Sequence, residues 1–196
     1  MLYGDAHNGF SFVKVKLELS EVGPLVAERD AGYTNPSRAS IEERGRALLQ
    51  SNMWPSAEVN LFVEDVFRWG RGTRNMIRVL KCSELPALLR ECSLKISHGN
   101  GAPDAAASAI WLLASRVPQL GPSFASKLLR FLHPDDAVIF DSIIRLRLGL
   151  DETEKAYAFF HAACRAIQDA FAGEGTTPVL SDIEAAIYMK LRKNPI

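Results

Sequence analysis

Apolar residues recur at helical spacing along most of the chain. Between residues 59 and 80, Val59, Phe62, Val63, Val66, Phe67 and Trp69 fall on one face, which predicts a helix packed on a core. Asn60 or Ser56 suits its start, and Gly70 with Gly72 interrupts it, so two helices or one kinked helix are expected. Ser83, Glu84, Leu85 and Pro86 open another helix, running to about Ser93, with proline tolerated in its first turn. Residues 97–103 read as a loop, and Asp104 suits the cap of a strongly apolar helix over 105–116. The chain turns at 118–122, is helical again over 123–132, and breaks at His133 and Pro134. An apolar link, 137–140, leads into a helix from Asp141 to about Leu148. Two more helices are predicted over 153–171 and 182–193, with 173–178 as the loop between them. Ser181 and Glu184 stand at capping-box spacing before the last helix. The exception is 13–19, where Val13, Val15, Leu17 and Leu19 alternate with charged residues as in a strand that has no evident partner.

The expected fold is therefore mostly α, with one short N-terminal strand. A chain of 196 residues is about one domain's worth and needs no disulfide or metal to fold. Within the single domain 1–196, two lobes are expected. A central one spans about 59–140 with a hairpin at 117–121, and segments 1–58 and 141–196 form the second. Hydrophobic residues at 47% and charged residues at 23% exclude a disordered chain, and no apolar run reaches the roughly 18 residues of a membrane span. The first twelve residues lack a signal-peptide pattern, so a cytoplasmic protein is expected. Cys82, Cys92 and Cys164 are too few for a thiolate zinc site and read as buried or half-buried thiols. His7, His98, His133 and His161 show no metal spacing, so neither metal nor cofactor is expected.

Net charge is zero, so any basic contact surface must be local. Arg68, Arg71, Arg74, Arg78 and Lys81 are spaced to form one helical stripe if the glycines permit; the plain alternative is a solvated face. The most informative stretch is 116–142. An apolar helix enters the turn Val117-Pro118-Gln119-Leu120-Gly121, and a second helix leaves from Pro122 or Ser123. Gly121 suits a tight turn, and the N–H groups and positive dipole end beyond it make a seat for phosphate. Asp141 follows Val138, Ile139 and Phe140 and opens the next helix, as an N-cap, a site acid or both.

This stretch resembles the helix-hairpin-helix DNA glycosylase superfamily, whose turn reads Leu-Pro-Gly-apolar-Gly and whose essential aspartate starts the following helix. Pro118, Leu120 and Gly121 fit, and Gln119 replaces the first glycine. Ser123 falls where bifunctional members carry a lysine nucleophile and the adenine-removing branch a serine. Phe124 to Leu132, Ile139 to Ser142, Arg68-Trp69-Gly70-Arg71 and 182–188 are similar to small bacterial proteins with an 8-oxoguanine glycosylase fold, some of them in phage defence. The resemblance implies a helix-hairpin-helix fold and a bacterial, nucleoid-associated monomer acting on double-stranded DNA. The activity implied is excision of a flipped base, either 8-oxoguanine or a phage-type modified cytosine such as glucosylated hydroxymethylcytosine. Asp141 would stabilise the oxocarbenium-like state. Lys127, one turn beyond Ser123, is either a Schiff-base nucleophile or a lysine that is solvated or contacts phosphate. Gln119, Gly121, Ser123, Arg71, Arg74 and Arg116 are the DNA-contact candidates. Trp54, Trp69 and Phe140 are candidates for the base pocket. The competing expectations are a non-catalytic helix-hairpin-helix DNA-binding module and a helical interaction protein with an accidental hairpin.

Overall fold

The computed structural model describes residues 3–5, 9–12, 15–51, 53–173, 175 and 177–193. Ten helices dominate the described residues: α1 (Leu19–Ala31), α2 (Arg38–Gln50), α3 (Ser56–Trp69), α4 (Thr73–Leu80), α5 (Leu85–His98), α6 (Pro103–Arg116), α7 (Pro122–Leu132), α8 (Ser142–Leu148), α9 (Glu154–Ala172) and α10 (Leu180–Lys193). The protein is mostly α, as the hydrophobic period predicts. The expected strand is β3 (Val15–Leu17), with Val15 and Leu17 buried and Lys16 exposed. It does have partners. Antiparallel β2 (Gly9–Phe12) pairs with it, and β1 (Tyr3–Asp5) pairs with β2. Val13 and Lys14 of the predicted strand lie outside the described residues, as do His7 and two positions of the predicted 173–178 loop.

The break at Gly70 and Gly72 is real, and its cause is close packing. A Cβ on Gly72 would stand 1.9 Å from the Phe124 ring, and one on Gly70 2.8 Å from it. Arg71 between them takes a left-handed backbone, φ 56°. The turn between α6 and α7 departs from expectation. Gln119, not Gly121, holds the left-handed conformation, φ 65° against −78°, and a Cβ on Gly121 would meet only open space. Gln119 thus occupies a conformation glycine adopts at least cost. Gly121 caps α7 in extended backbone with no side-chain bond, and Pro122 sits in the first turn.

Two expected caps fall inside their helices. Ala102 rather than Asp104 caps α6. α10 begins at Leu180, so Ser181 and Glu184 form no capping box; both are buried. α1 and α2 carry no long apolar period. Pro24 lies inside α1, and α2 buries only Ile41, Gly45 and Leu48 among charged neighbours. α1 packs on α10, bringing the first and last helices together, while α2 packs on α3 and α7. A Cβ on Gly45 would lie 2.6 Å from the Phe131 carbonyl oxygen, which measures how closely α2 approaches α7.

Candidate functional site

In the link 137–140 the Ala137 N–H donates to the His133 carbonyl at 2.9 Å, and two further N–H groups bond to side chains. The Val138 N–H donates to the Tyr157 hydroxyl at 3.2 Å, and the Phe140 N–H to Ser126 Oγ at 3.0 Å. Ser126 in turn donates to the Ser123 carbonyl at 2.9 Å, so the link is moored to α7. At its end Asp141 Oδ1 accepts from the Ile143 and Ile144 N–H groups at 3.0 and 3.1 Å. The carboxylate is thus the N-cap of α8, with Oδ1 fixed by two backbone N–H groups.

Asp141 lines a cavity of about 280 Å³. The wall from α3 and α7 is Trp69, Gly70, Ser123, Phe124 and Lys127. The lining is completed by Arg29 of α1, Tyr33 just beyond it, Ile139, the start of α8, and Glu184 and Tyr188 of α10; the Arg29 guanidinium lies 5.8 Å from the centre of the Trp69 ring. The structure therefore brings together Asp141, Lys127, Ser123 and Trp69 from the sequence candidates.

Lys127 is 6% exposed, which excludes a solvated lysine. Its Nζ donates to Ser123 Oγ at 3.0 Å and to the Ser123 carbonyl at 3.3 Å, and lies 4.9 Å from the centre of the Phe124 ring. Burial lowers its pKa, opposed by the charges of Asp141 and Glu184. That shift favours the neutral amine, the nucleophilic form.

Sequence reading passed over two wall residues, Arg29 and Glu184, 2% and 1% exposed. Arg29 Nε donates to Asp30 at 3.2 Å, but its Nη1 stands 3.8 Å from Glu184 Oε2, beyond hydrogen-bond reach. Both Nη atoms, Glu184 Oε2 and Trp69 Nε1 have no hydrogen-bond partner. Burial pushes the Glu184 carboxyl above the usual range; Arg29 and Arg130 oppose this, and Asp141 adds to it. The 182–188 segment was a usable signal, because it carries both Glu184 and Tyr188. A polar residue at a helix start, however, reads first as a cap.

Other candidates stand elsewhere. Phe140 is a core residue, edge-on to Tyr157 with ring centres 5.7 Å apart, and does not line the cavity. Trp54 packs half-buried against the core, outside the lining, while Trp69 lines the cavity and packs on the rings of Tyr33 and Phe131. Arg71 is outside the lining, with its guanidinium 5.2 Å over the ring of Tyr33, which does line it. Arg74 is exposed on α4, and Arg116 pairs with Glu84 at 3.2 Å. The expected basic stripe is not continuous, because α3 ends at Trp69 and Arg68 turns to Glu64 at 3.2 Å.

Among the described residues no group of three or more His, Cys, Asp or Glu gathers as for a metal, and no helix is long and apolar enough to cross a membrane. Cys92 and Cys164 are buried thiols, and burial pushes Cys92 up to about 12. His133 ends α7, its Nε2 2.8 Å from Ser93 Oγ. Compared with protein-family models, curated proteins and solved structures, the chain matches none.

Proposed function

We propose that this protein is a DNA glycosylase that flips a damaged or modified base out of double-stranded DNA and cuts its N-glycosidic bond. The observation that carries the reading is Asp141. Its carboxylate is held by two backbone N–H groups on the wall of a cavity it shares with Lys127 and Ser123. As the C1′–N bond breaks, its electron pair leaves with the base and positive charge spreads over C1′ and O4′. Asp141 offsets that charge. In the hydrolytic course, water adds at C1′ and gives its proton to Asp141, leaving an abasic site.

In the bifunctional course, Lys127 Nζ adds at C1′ as the base departs, and the sugar ring opens to a Schiff base with O4′ protonated. The lysine's burial and lowered pKa support this course. The phosphate grip falls to Gln119, Gly121 and Ser123 around the start of α7, whose end carries no side-chain cap, with Arg71 over the Tyr33 ring and Arg74 on α4. The substrate classes are 8-oxoguanine and a phage-type modified cytosine. The setting is the bacterial cytoplasm, in repair or phage defence.

The test is base release from duplexes carrying oxidised, deaminated, alkylated and phage-modified bases, with and without borohydride. Asp141→Asn is expected to slow release by about 10²–10³-fold. Folding stability should be nearly unchanged, because asparagine caps a helix as well as aspartate does. Borohydride is expected to trap the DNA on Lys127. Absence of release from every duplex refutes the enzyme.

A further inference from the structure

Between Asp65 and Glu84 the chain carries no acidic residue, but it carries Arg68, Arg71, Arg74, Arg78 and Lys81. The two bounding acids are taken by other arginines: Asp65 pairs with Arg44 at 3.1 Å and Glu84 with Arg116 at 3.2 Å. Arg68 turns back to Glu64, and Arg71 lies over the Tyr33 ring. Arg74, Arg78 and Lys81 are exposed and make no ion pair among the described residues. They share one face of α4, because positions 74, 77, 78 and 81 follow the i, i+3, i+4, i+7 spacing and Lys81 ends the helix in helical backbone. The remaining place on that face belongs to Ile77, which is 63% exposed. The opposite face of α4 meets the core: Val79 is wholly buried, and Met76 and Leu80 pack half-buried beside it.

We infer that this face of α4 docks on the DNA duplex, with Arg74, Arg78 and Lys81 on backbone phosphates and Ile77 entering the groove as an apolar wedge. A singly exposed apolar side chain is ordinary. Ile77 differs because three cations without ion pairs share its face in a protein of zero net charge, and that local positive field suits a polyanion. The face is about 10 Å long, the rise of seven helical residues, and a duplex strand sets one phosphate about every 3.4 Å of axis, so the cations can meet separate phosphates. A membrane surface suits it less. A helix lying on lipid needs a broad apolar face, and the other apolar side chains of α4 pack on the core. Isoleucine is one of the side chains that enter base steps, unstacking and kinking the duplex. α4 also starts beside the cavity. Gly70 and Gly72 pack against the Phe124 ring, and Phe124 lines the cavity, as does Tyr33 beneath Arg71. The docking face and the cavity therefore sit on adjoining elements. The inference rests on the base-excision reading and gives it a contact surface and a residue that opens the stack.

The test is binding of the full chain to an undamaged duplex by fluorescence anisotropy over a range of salt concentrations. Beside it runs binding to a duplex with a tetrahydrofuran abasic-site analogue next to 2-aminopurine, whose fluorescence rises when it unstacks. Each of Arg74→Gln, Arg78→Gln and Lys81→Gln is expected to lower the slope of log affinity against log salt by about 0.9, and the triple variant by about 2.7. Arg90→Gln, at an exposed position of α5, should leave the slope as it is. Ile77→Ser should keep the slope and lose most of the fluorescence rise. Thermal melting identifies any variant that fails to fold, and the remaining single variants then decide. The inference is overturned by absence of salt-dependent binding, by a slope that the α4 variants retain, or by a slope that Arg90→Gln lowers equally. A fluorescence rise that wild type lacks or Ile77→Ser keeps overturns it too, as does tighter binding to phosphatidylglycerol vesicles than to DNA. Base release with DNA affinity untouched by the α4 variants sinks the inference and spares the glycosylase. The expected losses of slope and fluorescence, with no release by wild type from any duplex, sink the glycosylase and spare the inference.

Discussion

Two arginines, Arg38 and Arg29, hold neighbouring places against α10 and are used in opposite ways. Arg38 is saturated. Its guanidinium meets Glu42 at 2.7 Å, Asp182 at 2.6 Å and the Ser181 hydroxyl at 3.2 Å, with Asp30 at 3.7 Å. Glu42 also takes the wholly buried Arg130 at 2.6 Å, so one cluster ties α2, α7 and α10 together. Arg29 touches the same Asp30, but its two terminal nitrogens are buried without a hydrogen-bond partner. A buried charge met from several sides is architecture. A buried charge left without hydrogen-bond partners costs stability rather than supplying it.

The comparison breaks most visibly at Arg38. Arg38→Met strands Asp182 and half of the Glu42 pairing, and is expected to cost about 3–5 kcal/mol in urea unfolding. The double variant Arg29→Met with Glu184→Met goes the other way. Replacing an unsatisfied buried pair by apolar side chains should leave stability unchanged or raise it, by up to about 4 kcal/mol, in the same urea unfolding. A loss as large as that at Arg38 would show that the Arg29 pair is structural too.

The smallest effect is the pH response of Lys127. Its folded pKa lies below the ordinary 10.5, so the unfolded chain binds more protons between the two values. Its contribution to stability is fully present above 10.5 and is lost as pH falls through the lowered folded value. Across that window the stability of wild type relative to Lys127→Met should rise with pH, measured by urea unfolding at a series of pH values. A flat difference would mean that burial does not perturb the amine.

How legible this was varies by residue. The α3 period, the break at Gly70, Pro86 in the first turn of α5, and Asp141 as a cap are short-range properties, written within a few residues of each other. The sheet was half legible: β3 alternates, but its partners are too short to announce themselves. Phe140 looked like a pocket aromatic because it adjoins Asp141, yet successive residues of an extended link face opposite ways, and its ring joins the core. Glu184 looked like a cap because spacing alone cannot tell a helix start from a position one turn inside.

The sequence by itself determined the helices from α3 onward, the alternating strand and the Asp141 carboxylate as a helix cap, because each rests on contacts between near neighbours in the chain. Only the tertiary structure decided what faces that carboxylate. Arg29 and Glu184 come from the first and last helices, and the packing of α1 on α10 sets their open atoms side by side. It also seals Lys127 away from water, and desolvation, a property of the assembled surroundings rather than of a residue type, is what changes its chemistry.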